Sequence, residues 1–143
     1  MTMRVPVLNR QVDAGEIVAK ATDRDTLVVA MCAARIAIGV TALAAPPLVA
    51  GPWIGSGAKR PDTRLLARAA GGRDLALGIG TLLAKRDGDE RALLHWLRMG
   101  VLSDATDTLI TLTSYRRLPR FGRFGVLASA GSATIVGAWL ARE

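Results

Sequence analysis

Residues 71–80 read Gly-Gly-Arg-Asp-Leu-Ala-Leu-Gly-Ile-Gly, an adjacent arginine and aspartate set among glycine, alanine and leucine. The surroundings suit tight helix packing or lipid, whereas two charges do not suit lipid unless they are paired. In a helix, each residue turns about 100° from the last. Arg73 therefore shares a face with Ala69, Ala76, Gly80 and Ala84, and Asp74 turns onto the next face with Ala70, Gly78 and Thr81. The two charges are offered to different neighbours, and the segment reads as one helix of a close-packed bundle.

The chain contains four long helical segments. The first spans 26–45, TLVVAMCAARIAIGVTALAA, with Asp25 as the expected N-cap and Pro46-Pro47 as the stop. The second spans 63–84 and contains the quoted stretch; the third spans 91–115; the fourth spans 123–141, with 18 uncharged residues after Arg123. These lengths match the roughly 20 residues that cross a hydrocarbon core. The segment between the first two helices, PPLVAGPWIGSGAKRPD, is rich in Pro and Gly and is expected to be an interfacial loop. The other connections are short, so consecutive helices are expected to be antiparallel neighbours.

The expected fold is all-α: a four-helix transmembrane bundle over 26–143, preceded by an extramembrane arm at 1–25 with a short surface helix near 10–21. The arm lacks the uninterrupted apolar region of a signal peptide. Lys/Arg counts flanking the four spans are nearly equal on the two sides, so they do not orient the bundle. Cytoplasmic termini are expected from the lack of a cleavable signal.

Small residues recur every four positions. Gly72, Ala76, Gly80 and Ala84 form the expected packing seam of the second helix, with similar stripes at Ala33, Ala37, Thr41 and Ala45 and at Ser129, Ala133 and Gly137. Such stripes let helix backbones approach where lipid removes the hydrophobic drive to associate. Trp53, Trp96 and Trp139 fall near helix ends and are expected to act as interface anchors.

The charges inside the helices are the candidate site: Arg35, Arg73, Asp74, Asp104 and Asp107. A lone Arg or Asp at a helix centre costs roughly 2.5–3.5 kcal/mol on insertion, so these residues are expected to pair between helices. Arg73 is expected to reach Asp104 or Asp107, and Arg35 to reach Asp74 or the same aspartates. Threonines are expected to satisfy the remaining carboxylate lone pairs. Arg68 and Arg98, nearer the helix ends, are expected to snorkel.

The net charge of +7 sets 16 arginines and 3 lysines against 12 acids, and the bases are spread along the chain without a dense basic tract or interleaved aromatics. That distribution argues for basic loops facing anionic headgroups and against nucleic acid. Cys32 is the single cysteine and His95 the single histidine, so no disulfide, metal centre or Cys/His nucleophile is expected. The glycines of the quoted stretch lack the G-x-G-x-x-G order of a dinucleotide loop. No cofactor is expected, and no enzyme motif is present.

The chain resembles the small four-helix integral membrane proteins of unknown function common in actinobacteria. The resemblance rests on AARIAIGV, RAAGGRDLALGIG, LSDATDT and the RRLP turn. It is more distantly similar in layout to DoxX-like membrane proteins. The resemblance implies a multi-pass membrane fold and assigns no catalytic residue. Three functions follow as expectations: a structural or accessory membrane protein, self-associating or part of a larger complex; a small carrier or proton-coupled transporter using the Asp/Arg cluster; or a membrane enzyme acting on a lipid or isoprenoid.

Overall fold

The structure is a computed structural model that describes residues 14–142, with burial described from Asp23 onward. Residues 1–13, which hold most of the expected arm, lie outside the described residues. The described chain is all-helical, with no strand. Four long helices, α1 (Ala14–Ala44), α3 (Pro61–Arg86), α4 (Glu90–Thr113) and α5 (Arg120–Leu140), are joined by short connections, with a two-turn helix α2 (Pro46–Ile54) after α1.

Two expectations about the elements are corrected. Asp25 does not cap the first helix, because α1 runs through it from Ala14. Lys, Asp, Thr and Arg at 20–26 are all compatible with a helix interior, and no proline interrupts them. Nor is 46–62 an irregular loop: it forms α2 and a 3₁₀ turn at Gly55–Lys59. Pro46 and Pro47 start α2 rather than forbid it, since the first helical turn has no use for their missing N–H groups. Gly55, at φ 68°, ends it. Between α3 and α4, Gly88 turns the chain at φ 69° and the Asp89 carboxylate accepts a bond from the Ala92 N–H at 2.9 Å.

The helices α1 and α3 pack antiparallel. Along α1 and α3, Cys32 lies beside Gly78 and Gly39 beside Gly71, so one sequence rises as the other falls. A Cβ at Gly39 would stand 2.7 Å from the Gly71 carbonyl oxygen, and one at Gly71 2.6 Å from the Ala42 Cβ. These contacts define the true α1–α3 seam: Cys32, Gly39 and Ala42 against Gly71 and Gly78, all buried. The expected stripe is therefore displaced. Nothing lies within 4 Å of a Cβ at Gly72, Ala76 is exposed, and Gly80 and Ala84 face α4 and the core instead. Ala33 and Ala37 are likewise exposed. A spacing of four drifts around a 3.6-residue helix, whereas the alternation of three and four along α1 stays on one side.

The bundle divides along its length. Toward the α3–α4 turn, Val28, Cys32, Ala84, Leu93, Leu97 and Leu140 form a packed apolar core. Toward the other end, where α2 and the α4–α5 connection lie, the helices part around cavities. The charged residues stand between these halves.

Candidate functional site

Arg35 of α1 is the hub. Its guanidinium donates through Nη1 to Asp74 Oδ1 at 3.2 Å and through Nη2 to Asp104 Oδ2 at 2.5 Å, joining α1 to α3 and α4. Nη2 also reaches the Gly100 carbonyl at 3.4 Å, and a Cβ at Gly100 would press on that guanidinium at 3.2 Å. Gly100 thus leaves room for the cation. Arg73 of α3 donates to both oxygens of Asp107 on α4, at 3.2 and 2.7 Å, and more distantly to Asp74 Oδ1 at 3.4 Å. All five candidate residues meet in one network, with Asp74 shared by both arginines. Two guanidinium groups face three carboxylates, formally −1.

The backbone explains why they meet. Asp74 lies three residues after Gly71 and four before Gly78, so it stands on the face where α3 comes closest to α1. On α4, Asp104 and Asp107 are three apart and project toward the same neighbours. Asp104 is only 7% exposed, so it depends on Arg35 for compensation.

The threonines do not complete the network as expected. Thr108 and Thr111 donate to the carbonyls of Asp104 and Asp107, at 2.8 and 2.7 Å, rather than to carboxylates. This back-bonding to residue i−4 is available to a helical threonine at no cost in reach. Arg68 does not simply extend to the helix end; its Nε caps the Leu43 carbonyl at the C-terminus of α1, at 3.1 Å.

Two cavities reach the network. One, of about 510 Å³, has Arg73, Asp74 and Asp107 at one end and Thr63, Leu66 and Leu118 at the other. The second, of about 610 Å³, touches Arg35, Asp74, Asp104 and Asp107, and runs along α5 from Ala133 to Phe121. Ile38, Val49 and Trp53 line both and so stand between them. Apart from these charges the walls are chiefly apolar. On the opposite side of Arg35 only about 10 Å³ is left, closed by Cys32, Trp96 and Leu97 among others. The charged floor is thus open toward one end of the bundle and sealed from the other.

The tryptophans sort into different roles. Trp139 is half-exposed. Trp96 lies across Gly80, where a Cβ would come within 2.5 Å of its ring. Trp53 partitions the cavities, with its Nε1 buried, and its carbonyl oxygen fills the space where Gly122 of α5 has no side chain. Only tertiary contact distinguishes a tryptophan at a helix end facing outward from one folded inward, so the anchor expectation holds no signal for Trp53 as a cavity wall. Cys32 is buried, and no group of three or more His, Cys, Asp or Glu suited to a metal occurs among the described residues.

No protein-family model matches the chain, and neither does any curated protein or solved structure.

Proposed function

We propose that this chain is a four-span integral membrane protein of carrier type, holding an amphipathic molecule in a cleft that opens toward one membrane face. The observation that carries the reading is the pair of apolar cavities ending on the partly buried Arg/Asp network from one side only. Mostly apolar walls with a few convergent polar groups, at about 300–1,000 Å³, are the usual form of a small-molecule site.

The distribution of side chains supports the membrane part. Leu65, Leu102, Leu109 and Ile135 are 60–72% exposed, while Asp104 is 7% exposed. Apolar residues outside and charges inside invert the arrangement of a water-soluble bundle. Two helices, Asp23–Ala44 and Arg120–Leu140, are long and apolar enough to cross a bilayer. Only 22% and 11% of their most apolar windows are buried by the rest of the protein, unlike the core helix of a soluble fold. The other two carry the charges that the network pairs, which lowers their insertion cost without making them more apolar. At 26 and 24 residues they are about 39 and 36 Å long, enough to span.

Native mass spectrometry of the full chain tests the reading. A retained amphiphile, lost in Ala70→Phe and Ala130→Phe variants that fill the two cavities while keeping their helix content, is the expected result. A chain that retains nothing, or retains it regardless of filling, overturns it.

A second reading, an accessory protein whose charges clamp the bundle or a partner complex, is favoured by the ion pairs that both guanidinium groups make within the protein. Paired within the protein and unaltered by any bound molecule, the network would then govern assembly alone. Blue-native electrophoresis of Arg35→Gln, with loss of a defined complex but no change in retained lipid, would select it.

A further inference from the structure

The two ends of the bundle differ in charge. Residues 55–64 and 114–123, at the end where the cavities lie, carry seven Lys/Arg and one acid, a net of +6. At the sealed end, the described residues 23–25, 85–91 and 141–142 carry five of each sign, a net of zero. The balance at the sealed end is also structural: Lys85 pairs with Asp25 at 2.5 Å and Arg24 with Glu90 at 3.9 Å.

At the open end the cations interleave with cavity walls. Ser114 and Leu118 line the first cavity, and between them stand the exposed Arg116 and Arg117. Phe121 and Gly122 line the second, directly after the exposed Arg120. Arg60 is engaged by Asp62, and Arg123 lies over the Tyr115 ring at 4.6 Å. This places a cationic rim around two apolar chambers that share the Trp53 partition.

Resting on the cleft reading above, we propose that the occupant is an acidic phospholipid, its phosphate held at the Arg116–Arg117–Arg120 rim and its chains lying in the two cavities on either side of Trp53. Guanidinium groups suit phosphate oxygens in geometry as well as charge, and paired chambers suit a molecule with two tails. The network's own carboxylates lie at the deep end, away from the headgroup, where they repel no anion at the rim.

The experiment titrates the full chain, purified in neutral detergent, with phosphatidylglycerol and with phosphatidylcholine of identical chains, read by native mass spectrometry. Phosphatidylglycerol is expected to bind at least about tenfold tighter, an advantage that falls with added salt. The Arg116→Gln/Arg117→Gln/Arg120→Gln variant is expected to reduce it to the phosphatidylcholine level, and the corresponding triple Lys variant to restore most of it. Ala130→Phe is expected to weaken both lipids. Equal binding of the two lipids overturns the anionic assignment and leaves the cleft reading standing, whereas binding of neither overturns both. Unchanged phosphatidylglycerol binding in Ala130→Phe reduces the rim to headgroup adsorption and overturns the seated lipid. Displacement by inorganic phosphate as effective as by phosphatidylglycerol identifies a free-phosphate site and does the same.

Discussion

Arg73 grips Asp107 with two parallel bonds, Nη1 to Oδ1 and Nη2 to Oδ2 at 3.2 and 2.7 Å, tying the middle of α3 to α4. Arg35 reaches across to Asp74 and Asp104 instead, one bond to each. The fork of Arg73 is geometrically specific, while Arg35 acts as a branch point among three helices.

These two arrangements respond differently to charge removal. Asp104→Asn leaves a guanidinium whose side chain is 13% exposed with Asp74 as its remaining carboxylate, and a cost of about 3 kcal/mol is expected. Asp107→Asn affects Arg73, whose side chain is 37% exposed, and a smaller loss of about 2 kcal/mol is expected. Reversible unfolding in detergent measures both. Negligible losses would show that the pairs do not hold the bundle, and equal losses that the exposure of the arginine does not set the cost.

The seam makes a sharper forecast about glycines. Gly39→Val and Gly78→Val introduce side chains where a Cβ alone would stand 2.7 Å from the Gly71 carbonyl oxygen or 2.9 Å from Ile36 Cγ1. Each is expected to destabilise by about 1–3 kcal/mol. Gly72→Ala meets nothing within 4 Å and is expected to be neutral or to stabilise by up to about 1 kcal/mol through helix propensity. Thermal unfolding of the three variants decides it, and the reverse order would move the seam back to Gly72 and Ala76.

At the open end, Arg60 bonds to Asp62 through Nε and Nη2, at 3.2 and 2.9 Å. Those bonds, led by the side-chain contact, hold the Asp62 carboxyl below its ordinary value of 3.8. A depressed folded value means the pair's contribution is present above pH 3.8 and is lost as pH falls through the lower folded value. The carboxyl is fully exposed, so the effect on stability is small. Carboxyl ¹³C titration is expected to show Asp62 rising toward its ordinary range in Arg60→Gln, and no movement would mean the pair does not form in solution.

The proposed four-span reading predicts both termini on one face. Reporter fusions after Glu143 and before Met1 are expected to report the same compartment, and a fusion within 55–59 the opposite one. Termini on opposite faces would mean that one of the four long helices does not cross.

Much of this was legible in the residues. The helices of 63–84 and 91–115 are visible because periodicity and stop signals are local properties, and α3 and α4 occur within two residues of those bounds. The convergence of Arg35, Arg73, Asp74, Asp104 and Asp107 was also readable, since a charge in an apolar helix must find a partner and helical projection limits where it can look. The seam was not. In α3, several Ala/Gly spacings compete, and only the position of α1 selects Gly71 and Gly78 over Gly72 and Ala76.

Sequence alone was sufficient for the helical class, the lengths of the second and third helices and the list of charges that must be paired, because each follows from composition and period within one segment. Tertiary structure assigned the partners: Asp107 to Arg73, and both Asp74 and Asp104 to Arg35. It also decided that one half of the bundle is packed and the other hollow. Both are properties of the space between helices, where residues far apart in the chain set a distance or fail to fill a volume.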